Sequence, residues 1–246
     1  MLRKLLKSAF NKAGFELTRI DTAIDGKTSL AFTMEAALDR CIKRGLNIQT
    51  VIDVGASDSQ WSRMCINRIP KANYLLIEAQ EGHRNSLDRF KEENSNVDFV
   101  LAAAGRSEGK IYFDNEDLFG GVASEKPLAK NCIEVPVVAI DSEVRNRNLQ
   151  GPFLIKLDTH GFEVPILEGA TETLKRAELV IIETYNYRLT NDSLKFHQMC
   201  SYMEERGFSI IEVADFVLRK HDLSFWQMDT FFVPSKRKEF SFNQFQ

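Results

Sequence analysis

Cysteine is scarce in this sequence and badly placed for cross-linking: Cys41, Cys65, Cys132 and Cys200 stand far apart, with no Cys-x-x-Cys pair. That spacing excludes a disulfide framework and a cysteine-based zinc site, and reduced thiols of a cytosolic compartment are expected. Long apolar runs are lacking too, and none approaches the roughly 20 residues that a membrane-spanning helix needs. An excess of positive charge is also missing. Lys and Arg number 32 against 35 Asp and Glu, a formal net charge of −3. Without a long basic run to cover a phosphate backbone, nucleic acid is not an expected partner. What remains is ordinary for a chain with a full core, at 43% hydrophobic and 27% charged residues over 246 positions.

The N-terminal stretch MLRKLLKSAFNKAGF places Leu2, Leu5, Leu6, Ala9, Phe10 and Ala13 at helical spacing, with Arg3, Lys4, Lys7 and Lys12 largely opposite. Such a helix docks on the domain, packs in a homo-oligomer, or makes a weak peripheral contact with an anionic membrane. Residues 21–30 read as a linker, and a second helix over roughly 31–45 ends at Gly45. This defines an N-terminal helical extension, residues 1–47, ahead of a domain spanning 48–246. From residue 50, TVIDV, NYLLIEA, VDFVLAAA, FLIKLD, ELVIIETY, FSIIEVA and MDTFFVP read as strands, separated mostly by amphipathic helices. Apolar strands in that rhythm predict an α/β fold, a doubly wound and mostly parallel seven-stranded sheet. An insert at 108–140 breaks the rhythm with two extended segments around a polar loop.

VIDVGASDSQWS, residues 51–62, runs from strand through a tight turn into a helix. Its one glycine, Gly55, lets the chain turn sharply and lets a ligand approach the backbone. The loop supplies neither Gly-x-Gly-x-x-Gly nor a Walker Gly-Lys-Ser/Thr, so a cradled diphosphate is not indicated. Yet Glu78 ends the second strand 23 residues later, placed to accept hydrogen bonds from ribose hydroxyls. Ribose without diphosphate points to S-adenosyl-L-methionine, with its amino-acid end over Asp53, Gly55, Ala56, Ser57 and Ser59. Trp61 packs beneath the loop or touches the methionine chain. Ala103 and Ala104 end the third strand, where an adenine can slide against the backbone.

LIKLDTHGFEVPILEGA, residues 154–170, carries a second constellation. Lys156 and Asp158 share a strand face because side chains alternate with period two. A lysine inside an apolar strand is costly unless paired, so Asp158, Glu163 or Glu183 is expected to meet it. With VIDVGASDSQWS and VPVVAID (135–141), this stretch makes residues 48–190 resemble the FkbM family of S-adenosylmethionine-dependent methyltransferases. The resemblance implies a Rossmann-like methyltransferase sheet. It also implies O-methyl transfer to a hydroxyl of a sugar, a polysaccharide or glycolipid precursor, or a secondary metabolite, with S-adenosyl-L-homocysteine as product. Two departures stand out: Ser59 replaces a usual glycine, and His160 stands where Glu or Gln is more typical.

Asp158, His160 and Glu183 are candidates for the general base, with Lys156 beside them. No metal is expected. The segment Phe119-Gly120-Gly121 is a candidate lid, and Tyr185, Tyr187 and Arg188 are candidate acceptor contacts. His83, His197 and His221 read as surface residues. The competing reading, which Ser59 motivates, is a scaffold that kept the fold and lost turnover.

Overall fold

The computed structural model describes residues 29–128 and 132–245. The expected N-terminal helix and most of the linker after it lie outside the described residues. Helix α1, Met34–Lys43, buries Ala37, Leu38 and Cys41. Thr33 caps it by accepting from the Ala36 amide at 3.3 Å, and Gly45 leaves it at φ 82°, a conformation that costs glycine little.

The main sheet contains β1 (Thr50–Val54), β2 (Asn73–Glu78) and β3 (Val97–Leu101) on one side. On the other side are β8 (Phe153–Leu157), β9 (Ala177–Tyr185), β10 (Phe208–Leu218) and β11 (Phe225–Pro234). Their order is β10-β11-β9-β8-β1-β2-β3, and all pair in parallel except β11, which runs antiparallel to both neighbours. Chain order reverses direction between β1 and β8, so their carboxyl ends form the switch point where such sheets bind ligands. Every residue of β1 and β8 is buried, because helices cover both faces. Ile52, Ile155 and Phe232 belong to one core, while Val51, Leu154 and Phe231 belong to the core on the opposite face.

Several expected elements differ. The strand VDFVLAAA splits at Ala102: β3 stays in the main sheet, and β4 (Ala103–Ala104) joins a second one. That four-stranded sheet, ordered β4-β7-β5-β6, is the insert, with β5 at Gly109–Asp114, β6 at Val122–Ser124 and β7 at Cys132–Val138. Helices α2 (Gln60–Ile66) and α3 (Arg84–Glu93) follow β1 and β2, and helix α4, Ile140–Asn146, begins inside a run that reads as extended from its apolar residues. Between β8 and β9 the chain forms two short helices rather than one, α5 (Glu163–Glu168) and α6 (Thr171–Leu174). The break falls at Gly169, where an added Cβ would lie 2.1 Å from the Gly105 carbonyl oxygen. All four thiols are unpaired, with Cys41 and Cys65 buried. Among the described residues, no helix is long and apolar enough to cross a membrane.

At the switch point β1 and β8 nearly touch beyond their last residues. Gly55 adopts φ 77°, and a Cβ there would sit 2.0 Å from the Asp158 carbonyl oxygen. Gly55→Ala therefore combines left-handed strain with a backbone clash. Chemical denaturation is expected to show a loss of more than about 2 kcal/mol.

Candidate active site

A cleft opens over this switch point, enclosing about 800 Å³ with its mouth included, within the range of small-molecule sites. Val54, Gly55 and Ser57 form one side, Glu78 to Gln80 the next, and Ala102 to Ala104 the third. Asp158, Thr159, His160, Phe162 and Ile166 come from β8 and the turn into α5, while Leu118, Phe119 and Gly121 reach over from the insert. Among the described residues that line it there is no lysine or arginine; its ionised groups are carboxylates.

Glu78 is 6% exposed and accepts from the Ser57 amide at 2.8 Å and the Gln80 amide at 2.7 Å. Burial raises its pKa and the two backbone amides oppose that rise. Ser57 takes φ 50° in the turn that presents its amide to Glu78. Ser59 occupies left-handed space at φ 70°. Its side chain is fully buried: the hydroxyl donates to the Asp58 carbonyl at 2.5 Å and accepts from Arg63 Nε at 3.1 Å. Of the expected cofactor contacts, Gly55, Ser57, Glu78, Ala103 and Ala104 line the cleft. Ser59, Ala56, Asp53 and Trp61 do not: the loop consumes the first, and the others pack on the opposite face of the sheet.

On that opposite face lies Lys156, 4% exposed. Its Nζ donates to Asp158 Oδ2 at 2.9 Å, lies 3.7 Å from Asp53 Oδ1 and stands 5.3 Å from the Trp61 ring centroid. Burial alone would lower the ammonium pKa, but Asp158, Asp53 and Asp229 more than offset it, and the group is held above its ordinary value. Asp53 is fully buried and also accepts from Ser62 Oγ at 2.7 Å. Of the three expected partners only Asp158 meets Lys156, and the second carboxylate beside it is Asp53, which was not expected there. Glu163 turns back to accept from the Gly161 amide at 2.8 Å.

Asp158 presents its other oxygen to the cleft. His160 Nε2 lies 3.8 Å from Asp158 Oδ1 and 3.8 Å from Glu183 Oε2. His160 Nδ1 donates to the Gly121 carbonyl, which can only accept, at 3.2 Å, and Nε2 is the ring atom that faces the two carboxylates. The residue itself is left-handed, φ 51°. Burial, then the nearby Asp158 charge, push Glu183 up to about 9, so it keeps a proton at neutral pH. Asp158 goes the other way: burial works against ionisation, but Lys156 draws its pKa below the usual value. The three side chains each offer a ligand atom within 4.8 Å of the others, a convergence with the spacing to hold a cation.

Sequence reading missed several groups. His83, expected on the surface, is 3% exposed; its Nε2 donates to the Leu118 carbonyl at 2.8 Å and its ring meets Phe119 edge-on at 5.3 Å. Gln80 Nε2 donates to the same carbonyl at 2.9 Å, so both residues latch the insert loop over the cleft. Nothing in the local sequence announces these contacts. Asp229, opposite Glu183 in the sheet and pushed up to about 7 chiefly by burial, was legible as an acid inside an apolar strand. Tyr185, Tyr187 and Arg188 do not line the cleft. Tyr185 donates to Glu183, Tyr187 stacks on Trp226, and Arg188 donates to the Ser193 carbonyl at 2.7 Å.

Sheet order and cleft together define a Rossmann-like α/β protein with a nucleoside-sized site at its switch point. The chain belongs to the methyltransferase FkbM family, whose domain matches residues 53–210. Among curated proteins none matches the sequence. Among solved structures, methyltransferase FkbM from Methylobacillus flagellatus is similar at 18% identity and a TM-score of 0.48, covering 74% of this chain. The chain spans only 43% of that protein's length. TrmK of M. capricolum, in complex with S-adenosyl-homocysteine, is similar at 10% identity and a TM-score of 0.47, with 84% of this chain and 75% of that one covered. Precorrin-6y C5,15-methyltransferase from Geobacter metallireducens follows at 14% identity and 0.44, covering 88% and 93%.

Lys156→Met leaves the fully buried Asp53, and the half-buried Asp158, without their cation, and breaking a buried pair in this way typically costs about 3–5 kcal/mol. Urea unfolding is expected to show such a loss, and the double variant Asp53→Asn/Lys156→Met to recover part of it.

Proposed function

We propose that this chain transfers a methyl group from S-adenosyl-L-methionine to a hydroxyl of a sugar, a polysaccharide or glycolipid precursor, or a secondary metabolite. The observation that carries the reading is the charge of the cleft. Glu78 and Asp158 line it, and no described lining residue is cationic. Such a wall repels a nicotinamide dinucleotide's diphosphate and favours a nucleoside that carries positive charge. The residues fit the group. Glu78, buried beside the Gly55 turn, retains acceptor capacity for two ribose hydroxyls beyond the amides it already holds. Ala103, Ala104, Phe162 and Ile166 offer a small-residue and apolar slot for a planar base.

Bound there, the cofactor supplies a methyl carbon on a positively charged sulfur, already activated toward nucleophiles. The protein has to orient the acceptor, exclude water and draw off the acceptor's proton. Phe119 and Leu118, latched through Gln80 and His83, cover the cleft. Asp158 and His160 line the cleft where a hydroxyl would lose its proton, and Glu183 backs them from outside that lining, 3.8 Å from His160 Nε2. Lys156 keeps Asp158 ionised and fixes which oxygen faces the cleft. Proton withdrawal of this kind contributes about 10²–10⁴-fold.

The scaffold reading rested on Ser59. The loop holds its left-handed turn with serine in place and commits the hydroxyl internally, so the substitution gives no ground for lost turnover. Four unpaired thiols suit a reducing, cytoplasmic setting.

Calorimetry with S-adenosyl-L-homocysteine tests the assignment. Binding to the parent chain and weakening of about tenfold or more in Glu78→Ala, the loss of a charged hydrogen-bond partner, are expected. His160→Ala is expected to keep that affinity while lowering kcat by about 10²-fold on any accepted hydroxyl. No binding by the parent chain at millimolar ligand would end the proposal.

A further inference from the structure

Resting on that reading of the cleft, we propose that Asp158, His160 and Glu183 hold a divalent cation of the magnesium or manganese type beside the acceptor hydroxyl. One ligand atom from each lies within 4.8 Å of the other two, and the imidazole nitrogen stands 3.8 Å from each carboxylate oxygen. A cation between them reaches all three at ordinary ligand distances of about 2.0–2.6 Å.

The set is more than an acidic patch, because its third donor is an imidazole whose orientation is fixed from elsewhere. The Gly121 carbonyl, on the insert, accepts from Nδ1 at 3.2 Å and so turns Nε2 toward the two carboxylate oxygens. Each carboxylate is likewise held from outside the trio. Lys156 donates to Asp158 Oδ2 at 2.9 Å, while Gln227 and Tyr185 donate to the two oxygens of Glu183. An imidazole anchored on a backbone carbonyl, with carboxylates anchored on neighbouring donors, is how proteins orient side chains toward a metal. Asp158 and His160 also line the cleft, so further coordination positions open toward an incoming hydroxyl. On binding, the cation displaces the proton that Glu183 otherwise keeps. Two carboxylate oxygens, one imidazole and open positions then suit an octahedral ion.

Held by Asp158, His160 and Glu183, such a cation would act as a Lewis acid that lowers the pKa of an acceptor hydroxyl. The O–H bond breaks and the proton leaves through the cleft mouth to bulk solvent. The oxygen's electron pair then forms the new bond to the methyl carbon as the carbon–sulfur bond breaks, leaving a neutral thioether. No oxidant or reductant is required.

The test uses the full chain after chelator treatment, titrated with Mn²⁺ alone and followed by electron paramagnetic resonance. S-adenosyl-L-homocysteine binding is measured in metal-free buffer in parallel. One Mn²⁺ per chain is expected, with affinity falling at least about tenfold in His160→Ala and in the isosteric Glu183→Gln. Homocysteine-cofactor binding should persist in both variants, which shows that they fold. Absence of saturable Mn²⁺ binding in the parent, or binding that neither variant weakens, overturns the proposal and leaves protons as the trio's only cations. Failure of the parent to bind S-adenosyl-L-homocysteine is a separate result. It removes the underlying reading of the cleft, whatever manganese does.

Discussion

One buried ammonium organises the functional edge of this protein. Lys156 reaches from the middle of the sheet to Asp158 on its own strand and toward Asp53 on the neighbouring one. Removing three charges from water is expensive, and an apolar set of equal volume is often as stable. The arrangement is therefore better understood through what it orients. With Oδ2 tied to Lys156, Asp158 stays ionised and turns Oδ1 toward His160 and the cleft. The Lys156 charge is spent on one face of the sheet, so the cleft keeps a net negative wall.

That separation of charge is what the proposed ligand would meet. A site with Glu78 and Asp158 and no described cation is poorly matched to phosphates and well matched to a sulfonium nucleoside. The same edge depends on close backbone approach. Gly55 admits the Asp158 carbonyl where any side chain would collide, which brings the loop, the acidic strand end and Ala103 and Ala104 around a single cavity. The insert completes it by leaning Leu118 and Phe119 onto His83 and Gln80, while its Gly121 carbonyl holds the ring of His160.

Much of this was legible in the sequence wherever one strand sufficed to carry the signal. The apolar runs of β1, β8 and β9 gave the parallel sheet, and the lone lysine in FLIKLD announced a buried carboxylate partner before any geometry was available. Glu78 was legible as the acid closing the second strand. Contacts between distant segments were not. His83 looked like a surface residue in a charged helix because the carbonyl it serves lies 35 positions further on. The side-chain direction of Ser59 follows from a left-handed φ, which residue type alone does not reveal. The second sheet escaped notice because its two-residue strand β4 is a continuation of β3 that changes partners. Asp229 obeys the same logic as Lys156, a charged residue in an apolar strand, and was open to the same inference.

The most direct measurement is a crystal structure of the chain soaked with S-adenosyl-L-homocysteine. The account places both ribose hydroxyls on the Glu78 carboxylate, the base against Ala103 and Ala104, and the sulfur on the side of Asp158. A nucleoside lying elsewhere, or one whose ribose faces away from Glu78, would contradict it.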